Sequence, residues 1–237
     1  MIGGKLTDTR TLQFLLQKAG VKPQRSAGQN FLICDEVVEA TLASLRGGFG
    51  RQAAPNYVTE LGAGVGTLTQ ALAAQGFYVR AIERDESLVN ILQEQLPKKL
   101  RERVEIVNKD LRDVDWAQPS HKASAGDKAY SLVGNIPYNL SGFIIRKITQ
   151  LEPAPEAVVL LVQQEVAERM TAAPPAMNLL GLAVQLWGRA DRLLSVPRSC
   201  FWPEPEVDSS LVVLTPHKEQ GLMQAEREKI LGVAKKC

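Results

Sequence analysis

A glycine-rich turn between a strand-like run and a helix-like run constrains this chain more than any other feature. The segment ELGAGVGTLT, residues 60–69, places glycines at Gly62, Gly64 and Gly66. Glycine at such positions permits a tight turn and lets a ligand lie directly against the backbone. A dinucleotide-binding fingerprint would have its third glycine one position later, where this chain has Thr67. The spacing therefore favours a ligand without a pyrophosphate group, such as S-adenosylmethionine.

Strand-like and helix-like runs alternate along most of the chain, which predicts an α/β fold with a mostly parallel sheet covered by helices on both faces. The last two strand-like runs flank a proline-rich segment, so we expect a closing antiparallel hairpin and seven strands in all. The strand-like runs are residues 57–61, 78–82, 104–108, 129–133, 157–162, 193–196 and 210–214. The clearest helix-like runs are residues 68–74, 87–95 and 140–151.

Charge and composition narrow the class of protein without naming a partner. The net charge is only +2, although the first thirty residues are locally basic and are either a phosphate-contacting arm or a solvated terminal segment. The three cysteines lack the paired spacing of a zinc site, so no metal is expected. Neither a signal peptide nor a membrane-spanning run is evident, which predicts a cytoplasmic protein. The loops at residues 47–55 and 118–127 are expected to be connectors, and His121 and His217 to be surface residues.

Three carboxylates follow the order expected of a nucleoside-binding edge. Glu60 directly precedes the glycine-rich turn, Glu83 ends the second strand-like run, and Asp110 follows the third. The carboxyl ends of parallel strands meet at one edge of a sheet, where open α/β folds bind their ligands. We expect Glu83 to accept hydrogen bonds from ribose hydroxyls and Asp110, next to Leu111, to accept one from an adenine amino group.

The fourth strand-like run is followed by NIPYN, residues 135–139. The amino nitrogen of adenine is a poor nucleophile because its lone pair is delocalised, and hydrogen-bond acceptors favour the localised form. The Asn135 side chain and the main-chain carbonyl of Ile136 or Pro137 can serve as those acceptors, and Tyr138 offers a ring for stacking an extruded base. The nitrogen becomes strongly acidic after attack, so no dedicated base is required.

These motifs together resemble the ribosomal RNA adenine dimethyltransferase family over nearly the whole chain. The matching motifs are GQNFL (28–32), ELGAGVGTLT (60–69), NIPYN (135–139), QQEVAERM (163–170) and FWPEPEVDSS (201–210). The resemblance implies a class I methyltransferase fold and S-adenosylmethionine as cofactor. It also implies that Gln29, Asn30 and Leu32 contact or cover the cofactor, that Asn135 also binds it, and that Phe201 faces Tyr138 across the target base.

The resemblance is strongest to the small-subunit branch, which dimethylates two adjacent adenosines in a 3′-terminal RNA hairpin. It implies immature small ribosomal subunits as partner and a monomeric enzyme. The expected organisation is a catalytic domain at residues 1–216 with a basic N-terminal arm, and the start of a truncated helical domain at residues 217–237. In the family the missing domain helps to grip RNA, so the resemblance implies weakened RNA binding and an intact cofactor site.

Alternatives stay open at this point. The macrolide-resistance enzymes, which act on large-subunit RNA, share the fold and the catalytic loop. A non-catalytic RNA-binding assembly factor can use the same fold. A nicotinamide oxidoreductase is disfavoured by the glycine spacing and by NIPYN, and a DNA adenine methyltransferase would usually carry an acidic first residue in the catalytic loop.

Overall fold

The computed structural model describes residues 4–24, 28–46, 56–117, 129–217, 222 and 224–235. The predicted loops at 47–55 and 118–127 lie outside the described residues, as does His121. The strands are β1 Phe31–Leu32, β2 Tyr57–Leu61, β3 Tyr78–Glu83, β4 Val104–Asn108, β5 Ser131–Asn135, β6 Ala157–Gln163, β7 Gly188–Val196, β8 Phe201–Trp202 and β9 Ser209–Pro216. The helices are α1 Thr9–Lys18, α2 Asp35–Leu45, α3 Thr67–Ala74, α4 Glu86–Gln95, α5 Ser141–Ile148, α6 Gln164–Thr171, α7 Leu179–Trp187 and α8 Gln224–Ala234.

Seven strands form one sheet in the order β4-β3-β2-β5-β6-β9-β7. The first five of these strands are parallel, and β9 runs antiparallel to both β6 and β7. The predicted parallel sheet and closing antiparallel pair are therefore confirmed. The strand order reverses between β2 and β5, and open α/β sheets bind ligands outside the carboxyl ends of the strands at such a reversal. The glycine-rich turn and NIPYN follow β2 and β5 directly, so both lie at this point.

Helices cover both faces of the sheet and produce two large apolar clusters. One cluster packs α2 and α3 against the sheet through residues such as Leu42, Leu72 and Val79. The other packs α5 and α7 through residues such as Ile145, Val184 and Trp187. Strands that are buried on both faces need apolar side chains at every position and read as continuous hydrophobic runs. The run AVVLLV in β6 is an example, because all six of its residues are buried.

Part of the basic N-terminal segment forms a helix, and its role as a phosphate-contacting arm stays a prediction. Residues 9–18 form helix α1, in which the Asp8 carboxylate accepts a hydrogen bond from the backbone N–H of Thr11. Leu12, Leu15 and Leu16 are buried in a third apolar cluster that also includes residues of the glycine-rich turn and α4. The segment is thus packed on the catalytic fold, because one face of α1 is apolar and only the opposite face carries the charges.

A two-stranded antiparallel sheet was not predicted from the sequence. In it β1 pairs with β8, with Phe31 opposite Trp202 and Leu32 opposite Phe201. The backbone N–H of Ile33 extends the pairing with a hydrogen bond to the Cys200 carbonyl at 2.8 Å. This small sheet joins the GQNFL motif to the FWPEPEVDSS motif.

Within the part of the chain that the structure describes, no helix is long and apolar enough to cross a membrane.

The close approach of β5 to β2 beneath the turn depends on Gly134. A Cβ atom built on this glycine would lie 2.6 Å from the carbonyl oxygen of Leu61 and 3.1 Å from Cγ2 of Ile136. We expect Gly134→Ala to lower the free energy of unfolding by about 1–3 kcal/mol, because the strands must move apart to admit a methyl group. Gly142→Ala in α5 is the matched control, since a Cβ there meets nothing within 4 Å. Equal unfolding midpoints for the two variants in urea would contradict the prediction.

Candidate functional site

A cavity opens at the strand-order reversal. Its lining includes eleven of the fourteen residues predicted from the sequence to form the site, which come from five separate segments of the chain. Those eleven are Gln29, Asn30, Leu32, Glu60, Gly62, Gly64, Glu83, Asp110, Leu111, Asn135 and Pro137. The structure therefore brings together the predicted cofactor residues and the start of the NIPYN loop, although their individual roles stay predictions.

The glycine-rich turn adopts left-handed backbone conformations that favour glycine. The φ angles are +79° at Gly62 and +55° at Gly64, and both residues line the cavity. Gly66, with φ +94°, has a different role, because a Cβ there would lie 2.2 Å from Cδ1 of Leu92. The first two glycines thus form the cavity wall, and the third allows α4 to pack against the start of α3.

The Glu83 carboxylate is tied to the glycine-rich turn. One oxygen accepts a hydrogen bond from the backbone N–H of Gly64 at 2.8 Å, and the other accepts one from Asp85 at 2.9 Å. Burial raises the pKa of this carboxyl, while the hydrogen bonds from Asp85 and Gly64 act in the opposite direction. The side chain is fixed at the end of β3, and each oxygen keeps a lone pair for a further donor.

Glu60 lies deeper, at the end of β2, and is 2% exposed. Its carboxyl accepts a hydrogen bond from the Thr69 hydroxyl in α3. Burial raises the pKa of Glu60 to about 8, and the nearby Glu83 carboxylate adds to this rise. A carboxyl with such a pKa holds its proton at neutral pH, so Glu60 differs in charge from an ordinary glutamate.

The Asp110 carboxylate is held by hydrogen bonds from Arg112. The guanidinium contacts both carboxylate oxygens, at 2.9 Å from Nε and 2.7 Å from a terminal nitrogen, and the Arg112 backbone N–H donates to the same group. These hydrogen bonds lower the pKa of Asp110. Asp110 is therefore a fixed anion at the cavity edge, oriented before any ligand arrives.

The GQNFL motif forms one wall of the cavity and is held there by polar contacts. The Gln29 side chain accepts from the backbone N–H of Gln24 at 2.8 Å and donates to the Asp85 carboxylate at 3.2 Å. The backbone carbonyl of Asn30 accepts a hydrogen bond from the side chain of Asn135. Leu32 is buried and supplies an apolar surface. The motif thus contacts Asp85 on one side of the cavity and Asn135 on the other.

The Asn135 amide is oriented by its contact with Asn30. Its nitrogen donates to the Asn30 carbonyl at 2.7 Å, which identifies the other amide atom as the oxygen. An amide oriented in this way offers its oxygen as an acceptor. This arrangement is the one that the predicted chemistry of NIPYN requires.

Two other residues of the NIPYN loop, Ile136 and Tyr138, have different surroundings. Ile136 is buried at 1% exposure and packs in the core, so only its backbone can act in the site. Tyr138 is half-buried, and its hydroxyl lies 2.8 Å from the Ser209 hydroxyl at the start of β9. Burial raises the pKa of Tyr138. The hydrogen bond restrains the Tyr138 ring between the two motifs.

Phe201, which the family resemblance places opposite Tyr138 across the target base, is buried. It is 2% exposed and belongs to the apolar cluster under α2 and α3, because its strand β8 is paired with β1. It is absent from the cavity lining, whereas Leu32 opposite it contributes to that lining. The structure therefore does not present Phe201 to a ligand, and its position across the base from Tyr138 stays a prediction.

Sequence reasoning missed residues that act by orienting others. Arg112 could have been found from its position two residues after Asp110, and Ser209 from its place in the VDSS segment. Phe31 also lines the cavity, and its ring lies 3.5 Å from where a Cβ on Gly64 would be. No local pattern reveals the approach of Phe31 to Gly64, because it depends on tertiary packing.

Comparison of the sequence with known proteins points to the same family as the sequence motifs do. The sequence profile described as "Ribosomal RNA adenine dimethylase" matches residues 20–235. "Ribosomal RNA small subunit methyltransferase A" of Thermotoga maritima is 36% identical over 213 residues, covering 89% of this chain and 70% of the relative. The chain spans 66% to 77% of the length of the curated relatives it matches.

Solved structures agree on the fold. A dimethyladenosine transferase from Plasmodium falciparum superposes with a TM-score of 0.70 at 23% identity, covering 87% of this chain and 70% of the other. The 23S rRNA methyltransferase ErmE superposes with a TM-score of 0.68 at 25% identity, covering 88% of this chain and 78% of the other. The architecture is that of class I S-adenosylmethionine-dependent methyltransferases, and with its profile match and its relatives the chain belongs to the ribosomal RNA adenine dimethylase family.

Proposed function

We propose that this protein transfers methyl groups from S-adenosylmethionine to the N6 nitrogen of two adjacent adenosines in the 3′-terminal hairpin of small-subunit ribosomal RNA. The observation that carries the proposal is the Asn135 amide, which the Asn30 carbonyl holds with its oxygen as the available acceptor. The proposed partner is the immature small ribosomal subunit, with the enzyme acting as a monomer in the cytoplasm.

The residues of the cavity fit S-adenosylmethionine. Gly62 and Gly64 leave the backbone bare along one wall, and Glu83 and Asp110 stand as hydrogen-bond acceptors at the ends of β3 and β4. Gln29, Asn30, Leu32, Glu60 and Leu111 complete the proposed cofactor site. When bound, the cofactor supplies an electrophilic methyl group on a sulfonium centre.

In the reaction, the chain's own residues accept hydrogen bonds from the target adenine and hold the base in position. The Asn135 oxygen and the carbonyl of Ile136 or Pro137 accept the two amino hydrogens of the target adenine, which concentrates the lone pair on N6. Tyr138, restrained by Ser209, provides the surface on which the extruded base stacks. Methyl transfer leaves a positively charged N6 that is strongly acidic, so it releases its proton directly to water.

The choice of the small subunit rests on the relatives. The Thermotoga maritima relative and other curated relatives carry the name "Ribosomal RNA small subunit methyltransferase A". A large-subunit substrate is the second candidate, because ErmE, a 23S rRNA methyltransferase, shares the fold with a TM-score of 0.68. The third candidate is a role in ribosome assembly without methyl transfer, and an experiment must distinguish it from the two enzymatic functions.

The decisive experiment measures transfer of labelled methyl from S-adenosylmethionine to undermethylated small subunits, with large subunits in parallel. We expect label in small-subunit RNA, recovered as N6,N6-dimethyladenosine after digestion, and none in large-subunit RNA. Label confined to large subunits would replace the proposal with the second candidate. Ribosome co-sedimentation and cofactor binding without any transfer would indicate an assembly factor.

A further inference from the structure

Lys147 in α5 lies at the junction between the catalytic loop and the adenine end of the proposed cofactor site. Its ammonium group donates to two backbone carbonyls of the segment after β4, at 2.9 Å to Leu111 and 2.8 Å to Val114. The same group lies 4.3 Å from the centre of the Trp116 ring and 5.8 Å from that of Phe143. No motif of the family resemblance includes this lysine.

The segment that Lys147 contacts is the one that forms the adenine side of the cavity. Residues 111–113 form a single 3₁₀ turn capped by Asp110, and Asp110 and Leu111 both line the cavity. Lys147 bonds the carbonyls of the first residue of this turn and of Val114, the residue after it. The lysine thus bridges the backbone on both sides of the turn.

The Leu111 carbonyl is the centre of this arrangement. It accepts hydrogen bonds from both Lys147 and the Trp116 indole N–H, the latter at 3.0 Å. Trp116 is fully buried, and its own carbonyl accepts a hydrogen bond from the Thr59 hydroxyl in β2. The segment is therefore connected to both the sheet and α5.

The Lys147 ammonium group lies beside two aromatic rings and near three aspartates. Partial burial lowers its pKa, while Asp115, Asp113 and Asp110 act to raise it. The ammonium group contacts two backbone carbonyls and two aromatic rings. A cation with such contacts holds the backbone segment in one conformation. A lysine that served only to keep the surface soluble would not bring its ammonium group onto buried carbonyls.

We propose that Lys147 is a positioning residue for the cofactor, which holds Asp110 and Leu111 in the arrangement that receives the adenine ring. Because α5 directly follows the NIPYN loop, the same lysine ties the cofactor side of the site to the target side. The inference rests on the placement of the cofactor adenosine given under the proposed function.

The test uses Lys147→Met, which keeps the length and apolar contacts of the side chain and removes its hydrogen bonds. Affinities for S-adenosylhomocysteine and for 5′-methylthioadenosine, which share the adenosine half, are measured by calorimetry. We expect both dissociation constants to rise by about tenfold, since charge-assisted hydrogen bonds contribute on that order. At saturating cofactor, kcat should stay within about twofold of the wild type, because the reacting atoms are untouched.

Two further variants separate positioning from general stability. Lys147→Arg keeps a cation that can reach the carbonyls, so we expect it to recover most of the affinity. Arg146→Met is the matched control, because the neighbouring Arg146 side chain is exposed on the same helix. Lys147→Gln takes the place of Lys147→Met if the latter does not fold, as judged by circular dichroism.

Each outcome bears on a definite claim. Unchanged affinity of the Lys147 variant for both ligands, or a loss confined to kcat, would overturn the positioning role. A loss for S-adenosylhomocysteine but not for 5′-methylthioadenosine would also overturn it, because the effect would then lie at the amino-acid end. If the wild-type protein binds neither ligand, the cofactor placement itself is wrong, and the inference falls with it.

Discussion

Replacing Asn135 by alanine is expected to slow methyl transfer by about a hundredfold or more, because a preoriented acceptor aimed at developing charge contributes on that scale. The Asn30 carbonyl fixes the wild-type amide at 2.7 Å, and alanine removes both this contact and the acceptor oxygen. The measurement is the single-turnover rate of methyl transfer to undermethylated small subunits at saturating S-adenosylmethionine. Saturation matters because Asn135 also lines the cofactor cavity.

Two controls make the Asn135 result interpretable. Gln93→Ala removes an exposed amide side chain in α4 and should transfer methyl groups at the wild-type rate. Asn135→Asp keeps an acceptor but loses the N–H that donates to Asn30, so we expect it to be defective as well. A rate for Asn135→Ala within about threefold of the wild type would refute the acceptor role and leave the backbone carbonyls of the loop as sole candidates.

The second large effect concerns the pH dependence of stability, and it arises from Glu60. Burial raises the pKa of this carboxyl to about 8 from its ordinary value of 4.5. Below the ordinary value, the group is protonated in both the folded and the unfolded chain. Between the two values, the folded protein keeps a proton that the unfolded chain releases. The free energy of unfolding should therefore fall as pH rises through this window, by up to about 1.4 kcal/mol per pH unit.

Glu60→Gln should remove most of this slope, because glutamine is neutral in both states and can still accept a hydrogen bond from Thr69. The measurement is urea unfolding of both proteins from pH 5 to pH 8. Glu83 is expected to leave a smaller slope of the same sign, since burial raises its pKa too. Glu102→Gln, at an exposed position, should follow the wild-type curve. Parallel curves for Glu60→Gln and the wild type would show that Glu60 is ionised in the folded protein.

Much of the fold could be predicted because its central strands are buried on both faces. Such strands read as short continuous apolar runs, as AVVLLV does in β6. The limits of β2 and of the edge strand β4 also match residues 57–61 and 104–108 of the sequence pattern. Strand β5 begins two residues later than expected, at Ser131. The carboxylates after the strands could be placed for the same topological reason.

The rest could not be predicted because it depends on pairing between distant segments. Strands β1 and β8 have two residues each, which is too short for any periodicity to show. The burial of Phe201 follows from that pairing, so no local pattern around Phe201 indicates it. The hydrogen bond between Tyr138 and Ser209 likewise joins motifs that are separate in the sequence.

The pairing of β1 with β8 has a consequence for how the protein is made. The wall formed by GQNFL leaves the ribosome early, yet its partner strand Phe201–Trp202 is synthesised only after six of the seven strands of the main sheet. Contacts between such distant segments form late, because closing a long loop must precede them. A nascent chain therefore lacks this pairing until Phe201–Trp202 has been synthesised, and the wall of the pocket is fixed only after most of the main sheet has been made.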